Sequence, residues 1–259
     1  MTLPQLIGMV HLGPLPGSAH FADFDSVLEQ AAADASVLAE TGYDAIMVEN
    51  FGDAPFFKDD VPKITVAAMT RAVTTVANAA RLPVGVNVLR NDALAALAVA
   101  ATAGASFIRV NVLSGTMYTD QGIIEGNAAA VARARQSFAT EIAIMADCFV
   151  KHAAPPPGVT FENALVDLWE RSGADAVVVS GSGTGRAPDA SRVEEARSVL
   201  GPDAPLFLGS GVDAANASAL LGSATGAIIG SSLKAGPVSG PIDRQLAAKV
   251  ALAARQALL

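Results

Sequence analysis

Leu206-Phe207-Leu208-Gly209-Ser210-Gly211 is an apolar run closed by a small-residue turn. Ala227-Ile228-Ile229-Gly230-Ser231-Ser232 repeats the pattern 21 residues later. Asp213 stands where a helix would open after the first turn, and Leu233 and Lys234 follow the second. Strand, glycine turn and helix start, twice in succession near the end of the chain, match the phosphate grip after strands 7 and 8 of a (β/α)8 barrel. Glycine lets backbone N–H groups approach phosphate oxygens, and a helix N-terminus adds unpaired donors and partial positive charge. Gly209, Ser210, Gly211, Gly230, Ser231 and Ser232 are therefore the candidate phosphate-binding residues. The plainer reading is that the glycines only close two βα turns. Lys234 either turns inward to add charge or is solvated.

Working outward, eight short apolar runs can be counted: 6–10, 45–48, 84–89, 107–112, 142–146, 176–179, 206–208 and 227–229. Helical stretches centred on 26–40, 64–80, 92–103, 127–139, 161–172, 190–200, 213–222 and 242–257 follow them in turn. Glycines at 42, 104 and 173 stand where a helix end takes a left-handed residue. The 259 residues are close to the length of one barrel, about 250, and no linker or low-complexity tract divides them. The spacing predicts one α/β domain over 1–259, a (β/α)8 TIM barrel. Connections 11–25, 50–63, 113–126 and 151–160 are long, and all fall on the βα side, where barrels carry their active face.

Composition narrows the partners. Hydrophobic residues make up 51%, and the mean hydropathy is +0.41, enough for a large core. The net charge of −8 and the lack of a basic stripe argue against nucleic acid. No signal peptide is read at the N-terminus, and no turn-free apolar run reaches about 18 residues, so membrane insertion is not expected. The single cysteine, Cys148, excludes an internal disulfide and points to a reducing, cytoplasmic location. Its parity beside Asp147 makes it a small buried hydrophobe. A homo-oligomer stays open.

Polar residues collect at the strand ends. His11 follows the first strand and Glu49 ends the second. Asn87, Arg90 and Asn91 mark the third, Arg109 and Asn111 lie in the fourth, Asp147 ends the fifth and Ser180 the sixth. Strand alternation points Arg109 and Asn111 to one face. An arginine inside a barrel needs a partner, and Glu49 and Asp147 are the carboxylates available. The network either serves only to fix the core or lines a substrate pocket. In the second reading His11, Glu49, Asp147 and Lys151 are the candidate catalytic residues, with Asn87, Arg90, Asn91, Arg109, Asn111, His152 and Ser180 binding substrate. Histidine titrates near neutrality and suits proton transfer. Lys151 binds phosphate, forms a Schiff base if desolvated, or is solvated. Glu49 and Asp147 also suit Mg2+ as hard oxygen ligands, although nothing in the sequence requires a cofactor. The glycine-rich stretch 180–185 lacks a P-loop lysine and reads as a flap or a third anion contact.

Several strings together resemble the BtpA family (BtpA/SgcQ). They are Gly8-Met9-Val10-His11-Leu12-Gly13-Pro14, Val48-Glu49-Asn50-Phe51-Gly52-Asp53, Gly85-Val86-Asn87-Val88-Leu89-Arg90-Asn91-Asp92, Phe107-Ile108-Arg109-Val110-Asn111-Val112, Thr119-Asp120-Gln121-Gly122 and Val150-Lys151-His152. The resemblance spans nearly the whole chain and implies a (β/α)8 barrel. The family takes its name from photosystem I biogenesis in cyanobacteria.

Two functions follow as expectations. One is an enzyme acting on a small phosphorylated metabolite by isomerase, lyase or aldolase chemistry, with a proton carried by Glu49, Asp147 or His11. The alternative, which the family name implies, is a non-catalytic assembly or stability factor that works through its surface.

Overall fold

A computed structural model describes residues 3–258. In chain order the strands are β1 (Leu6–His11), β2 (Ala45–Glu49), β3 (Val84–Asn87), β4 (Phe107–Val110), β5 (Thr116–Thr119), β6 (Gly122–Glu125), β7 (Ala143–Cys148), β8 (Ala153–Ala154), β9 (Ala176–Val179), β10 (Leu206–Leu208) and β11 (Gly226–Ile229). The helices are α1 (Phe24–Glu40), α2 (Lys63–Ala80), α3 (Ala93–Ala103), α4 (Ala128–Phe138), α5 (Phe161–Arg171), α6 (Ala190–Leu200), α7 (Ala217–Leu221) and α8 (Arg244–Leu258).

Eight parallel strands close a barrel in the order β1-β2-β3-β4-β7-β9-β10-β11, with β11 returning to β1. These are the eight apolar runs of the sequence. Alternation sorts their side chains. Ile7, Met9, Met47, Phe107, Met145, Val178, Phe207 and Ile228 fill the interior, while Leu6, Val10, Ile46, Val48, Ile108 and Ile144 pack outward with the helix faces. Gly85 makes room inside, because a Cβ there would lie 2.2 Å from the Phe107 ring. Truncating a ring so enclosed costs about 3–5 kcal/mol. Short polar residues start several helices: the Asp23 carboxylate accepts from the N–H of Asp25 and Ser26, and Asp92 from that of Ala95. Gly104 ends α3 at φ 74°, in the left-handed conformation expected.

Three features depart from the sequence reading. The 113–126 connection is not an open loop: β5 and β6 form an antiparallel hairpin that β8 extends. Its buried Met117 and Ile124 join Val112 and Val150 in a small core of their own. The helix expected over 213–222 shrinks to α7, because the Asp213 carboxylate accepts from the N–H of Ala215 and Asn216 and holds a turn there. After β11 the chain forms only a three-residue 3-10 turn, Ser231–Leu233, and the next helix begins at Arg244. Among the described residues, no helix is long and apolar enough to cross a membrane.

Candidate active site at the barrel mouth

Parity brings the polar strand ends together. His11, Glu49, Asn87 and Arg109 occupy one level of the barrel, each in register with the next. The Arg109 guanidinium is fully enclosed. Its Nε donates to Asp147 Oδ2 at 2.8 Å, and its Nη2 donates to Asp147 Oδ1 at 2.7 Å. Further contacts reach Ser180 Oγ and the Gly209 carbonyl. Asn111 Nδ2 donates to Asp147 Oδ2 at 3.0 Å, and the Ser180 hydroxyl donates to Oδ1 at 3.2 Å. Asn87 Nδ2 donates to Asn111 Oδ1. Burial alone would lower the Arg109 pKa, but the paired Asp147 charge raises it overall. Both oxygens of Asp147 are thus occupied, so of the two expected partners Asp147 takes the arginine and Glu49 does not.

Glu49 contrasts with it. Its side chain is almost wholly buried, and no donor among the described residues reaches its Oε1. His11 Nε2 lies 3.9 Å from that oxygen, beyond a hydrogen bond, and His11 Nδ1 is also without a partner. The imidazole stands edge-on to Phe51 with ring centres 4.8 Å apart. It also packs over Gly230, where a Cβ would lie 2.7 Å from His11 Cε1. Burial, helped by the positive charges of Lys234, Lys151 and Arg109, lowers the His11 pKa to about 3. His11 is therefore neutral at physiological pH.

Above Glu49 opens a cavity of about 410 Å³, whose walls include Phe51, Phe56, Arg90, Asp120, Lys151 and His152. Arg90 is only 5% exposed. One of its N–H groups donates to the Lys151 carbonyl at 2.6 Å, and no carboxylate among the described residues pairs with it. Burial lowers the pKa of Arg90 and of Lys151, against the pull of nearby Glu49 and Asp147. His152 Nε2 accepts from the Thr184 N–H at 3.2 Å, which ties the exit of β7 to the 180–187 segment.

The glycine turns adjoin one another: the Ser232 hydroxyl donates to the Val212 carbonyl at 2.7 Å. Among the described residues, no acceptor meets the backbone N–H of Gly211, Gly230, Ser231 or Ser232. The segment 181–187 covers both turns. Ala187 N would lie 2.0 Å from a Cβ on Gly211, and Ser231 Oγ 3.0 Å from one on Gly185. Ser210 Oγ accepts from the Gly181 N–H and donates to the Arg186 carbonyl, which pins that segment.

Some expected residues lie elsewhere. Asn91 turns away from the mouth, in the turn after β3, with its amide engaging both backbone groups of Val112 just past the end of β4. Lys234 is neither inward nor solvated; it is buried and donates to Asp34 Oδ2 at 3.1 Å. Burial raises the thiol of Cys148 to about 12 within the core. Among the described residues, no three His, Cys, Asp or Glu side chains converge as a metal cluster. The sequence reading missed Phe51, Phe56, Asp120, Gln121 and Thr184 as cavity walls. The Thr119-Asp120-Gln121-Gly122 string was the available signal, since it is the hairpin tip.

The barrel is similar to thiamine phosphate pyrophosphorylase from Pyrococcus furiosus, with a TM-score of 0.62 and 12% identity over 98% of each chain. It is also similar to N-(5'-phosphoribosyl)anthranilate isomerase from the same organism, with a TM-score of 0.59 and 13% identity over 97% of this chain and 99% of that one. Both likenesses are of fold. In sequence, the chain is 46% identical to the photosystem I biogenesis protein BtpA of Synechocystis over 92% of this chain and 83% of that one. An uncharacterised protein of Methanocaldococcus jannaschii is 44% identical over 95% of this chain and 93% of its own length. The BtpA family profile matches residues 2–256. The chain belongs to the BtpA family.

Proposed function

We propose that the barrel mouth is the active site of an enzyme that moves a proton on a small phosphorylated carbonyl compound, in the isomerase or lyase class. The observation that carries this reading is Glu49: a buried carboxylate without a donor on Oε1, at the floor of an open cavity. A carboxylate with no structural partner is free to take and return a proton. Asp147 is not, because Arg109, Asn111 and Ser180 hold it. Its role here is to orient Arg109, so the catalytic part weighed for it passes to Glu49. His11 donates or accepts a hydrogen bond as a neutral imidazole, and Arg90 holds an anionic substituent. The phosphate lies on the free N–H groups of Gly211 and Gly230–Ser232, under the 181–187 segment, with Ser182 to Gly185 as the cover. That the fold neighbours are named for phosphate-bearing substrates supports this choice of ligand.

Proton transfer can be read without knowing the product. Incubated in D2O with a panel of triose, tetrose and pentose phosphates, the protein should place deuterium on a carbon beside the carbonyl of one of them. Glu49→Gln should slow that exchange about 10²–10⁴-fold while leaving the unfolding transition in place. A phosphorylated ligand should raise the Tm by mass action, and Gly211→Val should abolish that rise. No exchange and no thermal shift across the panel would favour the assembly-factor reading, which the Synechocystis relative's name supports.

A further inference from the structure

We propose that Lys151 is a covalent site: its side-chain amine condenses with the carbonyl carbon of the substrate to form an imine. This rests on the proposed reading of the mouth as an enzyme site and narrows the substrate to a phosphorylated ketone or aldehyde.

Four observations converge on this residue. Of the five lysines, Lys58, Lys63 and Lys249 are exposed and Lys234 is held by Asp34. Lys151 stands in the wall of the cavity that Glu49 also lines, and its Nζ makes no hydrogen bond or ion pair among the described residues. The backbone is bent to put it there. Phe149 at φ 54° and His152 at φ 58° bracket it in the left-handed region. Among the described non-glycine residues only Arg81, at the end of α2, shares that conformation. Such strain collects where a fold holds a functional group in place. The third observation is Arg90, whose guanidinium donates to the Lys151 carbonyl and fixes the turn from the other side. The fourth is Glu49 in the same cavity with an unpartnered oxygen. Burial, together with Arg109 and Arg90, favours the neutral amine that nucleophilic attack requires.

The step balances without a co-reactant. The amine lone pair bonds the carbonyl carbon, and the two amine hydrogens leave with the carbonyl oxygen as one water. Uptake of a proton at nitrogen gives the iminium cation. Glu49 then takes a proton from the adjacent carbon, and the C–H electron pair flows into the iminium to give an enamine. This is the same proton whose exchange reports on Glu49.

Reductive trapping tests the proposal. The full-length protein is incubated at neutral pH with dihydroxyacetone phosphate and sodium cyanoborohydride, then digested, and the label on each lysine is measured by mass spectrometry. Lys151 should carry at least about tenfold more label than exposed Lys249 in the same sample, because a desolvated amine beside a held carbonyl reacts ahead of a solvated ammonium. In Lys151→Met the protein should lose that label and keep the background on Lys58, Lys63 and Lys249. Label on Lys151 no greater than on Lys249 overturns the imine. If dihydroxyacetone phosphate raises the Tm yet Lys151 stays unlabelled, the phosphate grip stands and the imine falls. If dihydroxyacetone without its phosphate labels Lys151 equally well, the imine stands and the phosphate reading falls.

Discussion

Arg109 and Arg90 are both almost fully buried, yet their surroundings differ in kind. Arg109 is met by two carboxylate oxygens, a hydroxyl and a carbonyl. Arg90 gives one hydrogen bond to a backbone carbonyl and turns the rest of its fork to a cavity. The lysines repeat the contrast: Lys234 is closed by Asp34 and the Gly240 carbonyl, while Lys151 faces open space. Desolvating a charge is costly, so a fold keeps one only where something compensates. For Arg109 and Lys234 the compensation is inside the chain. For Arg90, Lys151 and Glu49 no such partner is met among the described residues, and the ligand of the proposed function would supply it.

Breaking the closed side should give the largest effect. Asp147→Ala leaves Arg109 buried without its counter-ion, and the unfolding free energy in urea should drop by about 3–5 kcal/mol. A change below about 1 kcal/mol would mean that Arg109 finds another partner, such as Glu49, and the two networks would no longer be distinct.

The histidine between them gives a pH test of intermediate size. His11 is held neutral in the folded state and gains a proton near pH 6.5 when unfolded. Below pH 6.5 the unfolded chain binds more protons, so stability is full above that value. It falls by about 1.4 kcal/mol per unit as the pH is lowered towards about 3. Between pH 7 and pH 5 the wild type should lose about 2 kcal/mol more than His11→Gln. Equal losses would show that His11 becomes protonated in place, with Glu49 as its partner.

The smallest stability change belongs to the open side. Arg90→Gln gives up one hydrogen bond but also removes an unpaired buried charge, so the urea midpoint should correspond to a change within about 1 kcal/mol. The same variant should weaken the thermal shift produced by a phosphorylated ligand. A loss as large as that of Asp147→Ala would place Arg90 among the structural cations.

Much of the barrel was legible because parallel strands buried on both faces read as plain apolar runs. The turns between them carry glycine for a backbone reason. Parity along one strand was enough to send Arg109 and Asn111 inward together. The hairpin was less visible, since four-residue strands with one buried position in four carry little signal. Asn91 shows the limit of reading by sequence position: it neighbours Arg90, yet its amide serves Val112. Lys234 shows it again, for its partner Asp34 lies 200 residues away on α1.

By itself the sequence determined the barrel, the order of its strands and the set of polar residues at their ends, because periodicity and glycine placement are local properties. Only the tertiary structure decided which of those polar groups are paired. It gave Asp147 to Arg109, left Glu49 and Lys151 facing a cavity, and laid the 181–187 segment over the glycine turns. Pairing depends on distances of a few ångströms between residues far apart in the chain, and such distances are set by packing rather than by sequence position.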